Sequence, residues 1–273
     1  VDVGGDPSRP ALLLLHGFPG SARAFRHLSP KLLDEAYLIA PDLPAFGESD
    51  VLPETSFAGM GEAVLELLEQ LSIGRRFVYL HDFGAPVGFH VAMHAPELVA
   101  GLIIQNANAH ESGLGPQWAA TRKFWAEPSA ANEKAATAHL TAEGTRNGYL
   151  GGVPEDLAKD FAGEPWVEDW RVMNLPGRMD AHRALVKDYG QHVGRFAAIH
   201  DYLRSHQPPA LMVWGRHDPF FDLDETVDWM KARPRMEAHV LDGGHMLLET
   251  RADDAARLIR DFIRTPGRGA RSA

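Results

Sequence analysis

The chain has 273 residues, 45% hydrophobic and 23% charged, with 26 glycines and 19 prolines spread along it, which is the balance of a globular protein rather than a disordered one. A formal net charge of −10 repels phosphate backbones and argues against a nucleic-acid partner. There is no cysteine, which removes disulfides and a thiol nucleophile, and no apolar run approaches the ~20 residues of a transmembrane helix. No membrane partner is expected, and the cytoplasm is the simplest location.

In chain order, short apolar runs bounded by turn residues predict strands at Ala11–Leu15, Tyr37–Ala40, Phe77–Leu80 and Leu102–Gln105. Helical patterns separate them. In the clearest, Phe57–Leu71, the residues Phe57, Met60, Val64, Leu67, Leu68 and Leu71 share one face. This alternation is the rhythm of an α/β protein with a mostly parallel sheet flanked by helices. From residue 112 to 206 the rhythm breaks into helix-like pieces punctuated by Gly, Pro and Trp, which predicts an inserted helical cap. Strands resume at Ala210–Trp214 and Glu237–Leu241, and an amphipathic helix follows at Ala252–Ile263. The core is thus expected over residues 1–111 and 207–273, with a loose tail from Thr265.

Parallel sheets bind ligands beyond the carboxyl ends of their strands, so the turns there are where chemistry is sought. Asp82 follows a strand directly and precedes a helix, with Gly84 two residues on. A side chain on so sharp a strand-to-helix turn is lifted toward bound substrate, and the helix N-terminus favours its ionised form. Asp is also a common helix cap, so the position alone does not decide. His245 follows two glycines after the last strand, and Asp218 lies in the turn after Ala210–Trp214. A carboxylate there can orient the histidine and stabilise its imidazolium. The order Asp82, Asp218, His245 reads as nucleophile, acid and base. No Gly-x-Ser-x-Gly occurs, which disfavours a serine esterase. The 14 histidines have neither cysteine partners nor a His-Glu-x-x-His helix, so no metal or other cofactor is expected.

The segments His16-Gly17-Phe18-Pro19, Pro41-Asp42-Leu43-Pro44-Ala45-Phe46-Gly47-Glu48-Ser49, His81-Asp82-Phe83-Gly84, Gly215-Arg216-His217-Asp218-Pro219-Phe220 and Gly243-Gly244-His245 occur in this order. In them the chain resembles the α/β-hydrolase superfamily, specifically its epoxide hydrolase and haloalkane dehalogenase branch, over nearly its whole length. The resemblance implies a helical cap over the sheet and Asp82 as the nucleophile. It also implies that the backbone N–H groups of Phe18 and Phe83 hold the oxyanion formed when a His-activated water hydrolyses the ester. One departure is Leu80, where the branch usually has glycine two residues before the nucleophile.

The leaving group divides the branch. An epoxide leaves an alkoxide that needs a proton, which cap tyrosines supply in relatives; Tyr149 and Tyr189 are the candidates here, with Tyr202 assigned to helix packing. A halide needs N–H donors, and Phe83 stands where dehalogenases usually carry tryptophan. Trp125, Trp166 or Trp170 of the cap are the remaining halide donors, and the arginines that clamp a haloacid carboxylate are missing after Asp82. His16, Trp125, Trp166 and Asn106 are candidate substrate-binding residues, whereas His81 is expected to point away from Asp82. The substrate expected is a small apolar molecule, most simply an epoxide opened to a diol. A haloalkane or haloacid dehalogenase and a non-catalytic receptor on the same fold are the alternatives.

Overall fold

The computed structural model describes residues 1–233 and 235–265; residues 266–273, which hold most of the expected loose tail, lie outside them. The strands β1 (Asp2–Gly4), β2 (Ala11–Leu15), β3 (Tyr37–Ala40), β4 (Arg76–His81), β5 (Val99–Gln105), β6 (Ala210–Gly215) and β7 (Glu237–Leu241) form one sheet in the order β1-β3-β2-β4-β5-β6-β7. All pairings are parallel except β1 with β3. The antiparallel β1 is absent from the sequence reading because three mostly exposed residues carry too short a pattern to register.

The sheet is covered on both faces, which is why β2 is apolar at every position. Leu13 and Leu15 pack on one side with α1 (Phe57–Gln70) and α2 (Gly84–His94). Leu12 and Leu14 pack on the other with helix Leu248–Arg264, the last among the described residues. That last helix starts four residues before the expected Ala252, across a kink at Arg251 that interrupts the periodic pattern. In α1 the Ser56 hydroxyl accepts from the Gly59 N–H at 3.1 Å and fixes the start of the helix.

Between residues 112 and 206 the regular elements are helical: α3 (Ala119–Ala126), α4 (Ala130–Ala136), α5 (Ala142–Leu150), α6 (Glu155–Ala158), α7 (Pro165–Met173), α8 (Arg178–Gly194) and α9 (Phe196–His206). The nearest approach to a strand is a single bridge between Leu114 and Phe221. After β6 come α10 (Asp224–Ala232) and, beyond β7, α11 (Leu248–Arg264). Side-chain bonds pin helix α8 to α1 and to the loop after β3. Asp188 accepts from the Phe57 N–H at 2.7 Å, and Arg178 donates to the carbonyls of Gly47 and Ser49 at 2.6 and 3.0 Å. Its apolar face, with Leu185 and Tyr189, belongs to the same buried cluster as β2, β4 and β5. Tyr202 on α9 is part of that cluster, as packing predicts.

Candidate active site

Asp82 follows β4 directly, with a left-handed backbone, φ +46°, before α2 begins at Gly84. A side-chain-bearing residue rarely adopts that conformation, and the surroundings enforce it here. Its N–H donates to the Asn106 carbonyl at 3.3 Å and its carbonyl accepts from Ala85 N–H at 2.8 Å. Gly17 then comes so near that a Cβ there would stand 2.5 Å from the Asp82 Cβ. This closeness lets the Phe18 N–H donate to Asp82 Oδ2 at 2.7 Å. The departure at Leu80 is accommodated by Gly88 on α2, where a Cβ would lie 2.1 Å from Leu80 Cδ2. The glycine missing two residues before Asp82 is thus matched by a glycine on the helix facing it.

His245 stands beside this carboxylate, Nε2 lying 3.8 Å from Asp82 Oδ2, while Nδ1 donates to Asp218 Oδ2 at 2.8 Å. Asp218 is held at both oxygens. Oδ1 accepts from the N–H groups of Phe220 and Phe221 at 2.7 and 3.3 Å, and Oδ2 also accepts from Asn106 Nδ2 at 2.8 Å. Burial by itself would lower the His245 pKa, but the charge and hydrogen bond of Asp218, followed by Asp82, outweigh it and push it up to about 10. In the resting protein His245 is therefore an imidazolium between two carboxylates. Removing the charge on Asp82 removes part of what holds that proton.

A cavity of about 180 Å³ opens above Asp82 and His245. Its wall includes Phe18, Phe83, Trp118, Val186, Tyr189 and Phe221, and among the described residues no lysine or arginine lines it. Tyr189 reaches it from α8, its ring 5.6 Å from that of Phe83, and its hydroxyl donates to Asn108 Oδ1 at 2.5 Å. Burial, with the charges of Asp82 and Glu225, raises the Tyr189 pKa well above its ordinary value, so the phenol keeps its proton.

Of the residues singled out in the sequence, the fold brings together Asp82, His245, Asp218, Phe18, Phe83 and Tyr189. It places the others elsewhere. Tyr149 on α5 is turned away from the cavity: its hydroxyl donates to Asp169 and its ring packs on Trp166, which is likewise outside the wall. The Trp125 indole N–H is engaged by the Val186 carbonyl at 2.9 Å, so it is closed to a ligand. Asn106 stands behind Asp218 rather than on the cavity wall, bonded through its side chain to Asp218 and to both backbone groups of Gly215. His16 is fully buried, its Nε2 accepting from Leu43 N–H at 3.0 Å, which ties two turns together. Burial lowers its pKa and keeps it neutral. The His81 ring, at the end of β4, lies 4.8 Å from that of His245.

Trp118, Val186, Phe221 and Asn108 were not singled out in the sequence. Phe221 follows Asp218 closely enough to have been suspected. Asn108 lies in the turn after β5, in a polar run that follows a strand end, whereas Trp118 and Val186 carry no signal in local pattern and reach the site through the packing of the helical segment.

The model of the alpha/beta hydrolase fold family matches residues 10–252. An uncharacterized hydrolase of Saccharomyces cerevisiae is 33% identical over 255 residues, covering 90% of this chain and 86% of that protein. A fluoroacetate dehalogenase of a Burkholderia species is 28% identical, with 96% of this chain and 88% of that one covered. Among solved structures, Cfl2 of Burkholderia cenocepacia superposes with a TM-score of 0.76 at 25% identity, over 96% of this chain and 90% of that one. Sheet order, strand-end turns and the match over most of the length agree, and the chain belongs to the α/β-hydrolase family.

Proposed function

We propose that the protein opens small neutral epoxides to diols through an ester on Asp82. The observation that carries this reading is the presence, on the wall of one cavity, of a carboxylate and a protonated phenol, Asp82 and Tyr189. The Asp82 oxygen not engaged by Phe18 attacks an epoxide carbon, the carbon–oxygen bond breaks, and the Tyr189 hydroxyl swings from Asn108 to give its proton to the departing oxygen. Asp82 has then lost its charge and the His245 pKa falls, so the imidazolium gives up its proton, which restores the Tyr189 phenol and leaves the imidazole as a base. It deprotonates water, which adds to the ester carbonyl. The Phe18 and Phe83 N–H groups hold the oxyanion, and collapse releases the diol and the Asp82 carboxylate.

Halide release is supported less well. The indole N–H of Trp118, on the cavity wall, donates to the Phe220 carbonyl at 2.7 Å, and that of Trp125 is engaged as described. A haloacid such as the substrate named for the Burkholderia relative brings a carboxylate, and no lysine or arginine meets it among the described wall residues. The test is a panel of terminal epoxides, bromoalkanes and fluoroacetate assayed for diol, bromide and fluoride. Diol formation is expected to exceed either halide. Efficient halide release without diol would overturn the epoxide reading.

A further inference from the structure

Helix α5 carries two glycines, Gly144 and Gly148, and both lie on the cavity wall. Glycine inside a helix is disfavoured relative to alanine, so each position needs a reason. For Gly144 the reason is steric: a Cβ there would stand 1.9 Å from the His139 carbonyl oxygen. At Gly148 no such obstacle exists, since the nearest atom to a Cβ is Pro19 Cδ at 3.8 Å. Its backbone is also ordinary, for it is not among the positive-φ glycines. Alanine would therefore fit Gly148 and favour the helix. What a side chain would take there is space beside the substrate. Gly148 lies one residue in from the exposed Asn147, and on the wall it stands with the exposed His139 and the buried Phe83 and Tyr189.

We propose that Gly148 sets the size of substrate the cavity admits, the helix forgoing stability there to keep the wall flat. The inference rests on the reading of this cavity as the substrate site. A substrate with a bulky group beyond the reacting carbons needs the space over Gly148, whereas one that occupies only the region over Asp82 does not.

The experiment compares wild type with Gly148→Ala and Gly148→Leu on 1,2-epoxypropane and styrene oxide. In Gly148→Leu the kcat/KM ratio of styrene oxide to 1,2-epoxypropane is expected to fall about tenfold or more, the scale of a misfit of a few methylenes in an apolar pocket. Gly148→Ala should raise Tm by about 2 °C and lower the ratio less. Gly144→Ala should lower Tm, which separates the two glycines. An unchanged ratio in a folded Gly148→Leu variant overturns the proposal. If wild type opens neither epoxide, the functional reading fails by itself, and the wall is scored by ligand-observed NMR with benzyl alcohol and ethanol. Selective loss of benzyl alcohol binding in Gly148→Leu then supports the proposal, and equal binding by wild type and variant overturns it.

Discussion

At the floor of the cavity, the polar side chains at the strand ends are tied to one another: Asp218 joins His245 to Asn106, and Asp82 sits between the Phe18 N–H and the His245 ring. Over the helical segment the two comparable tyrosines have unrelated partners, Asn108 for Tyr189 and Asp169 for Tyr149, and only Tyr189 reaches the cavity. The floor is fixed by turns whose backbone conformation aims each side chain. The roof is fixed by which helix is anchored where, and a tyrosine's use depends on that anchoring rather than on its neighbours in sequence.

The sharpest way to break this contrast is to remove one hydroxyl at a time. Tyr189→Phe is expected to slow alkylation of Asp82 by epoxides about 100-fold, as loss of general-acid assistance does, with single-turnover kinetics as the measurement. Tyr149→Phe should leave that rate unchanged and destabilise the fold by about 1–3 kcal/mol, because buried Asp169 loses its donor. Equal rate effects in the two variants would erase the distinction between them.

The floor has its own test in the pair Leu80 and Gly88. Gly88→Ala should cost about 1–3 kcal/mol by overpacking against Leu80, measured by denaturant unfolding. In a Leu80→Ala background that cost should largely vanish, since the atom it meets is gone. Persistence of the cost would show that the two positions do not compensate each other.

A smaller effect concerns the imidazolium. In wild type His245 is pushed up to about 10 and so stays protonated at neutral pH. Neutralising Asp82 as Asp82→Asn removes one stabilising charge, so the titration midpoint of His245, followed by NMR, should move down by about one pH unit or more. An unmoved midpoint would mean that Asp218 alone holds the proton, and the coupling between alkylation and base formation would be lost.

The floor was largely legible in the sequence because strand-end motifs are local. Asp82 between a strand and a helix, His245 after paired glycines, and the preference for Asp218 over the amide of Asn106 all follow from residue chemistry at known places. The roof was only half legible. Helical periodicity buries both Tyr149 and Tyr189, and the choice between them is made by partners such as Asn108, 81 residues from Tyr189. Trp125 has the right group for an anion, yet the carbonyl that takes its N–H lies 61 residues away. Contacts of that range leave no periodic trace in one chain.

The central claim, an ester on Asp82 hydrolysed with the help of His245, is tested most directly by intact-mass and peptide mass spectrometry of His245→Gln after incubation with an epoxide that wild type turns over. The account predicts a stable adduct of the epoxide's mass on the peptide containing Asp82, because the ester forms and water lacks its base. An unmodified Asp82 peptide in that variant, together with full activity in Asp82→Ala, would contradict it.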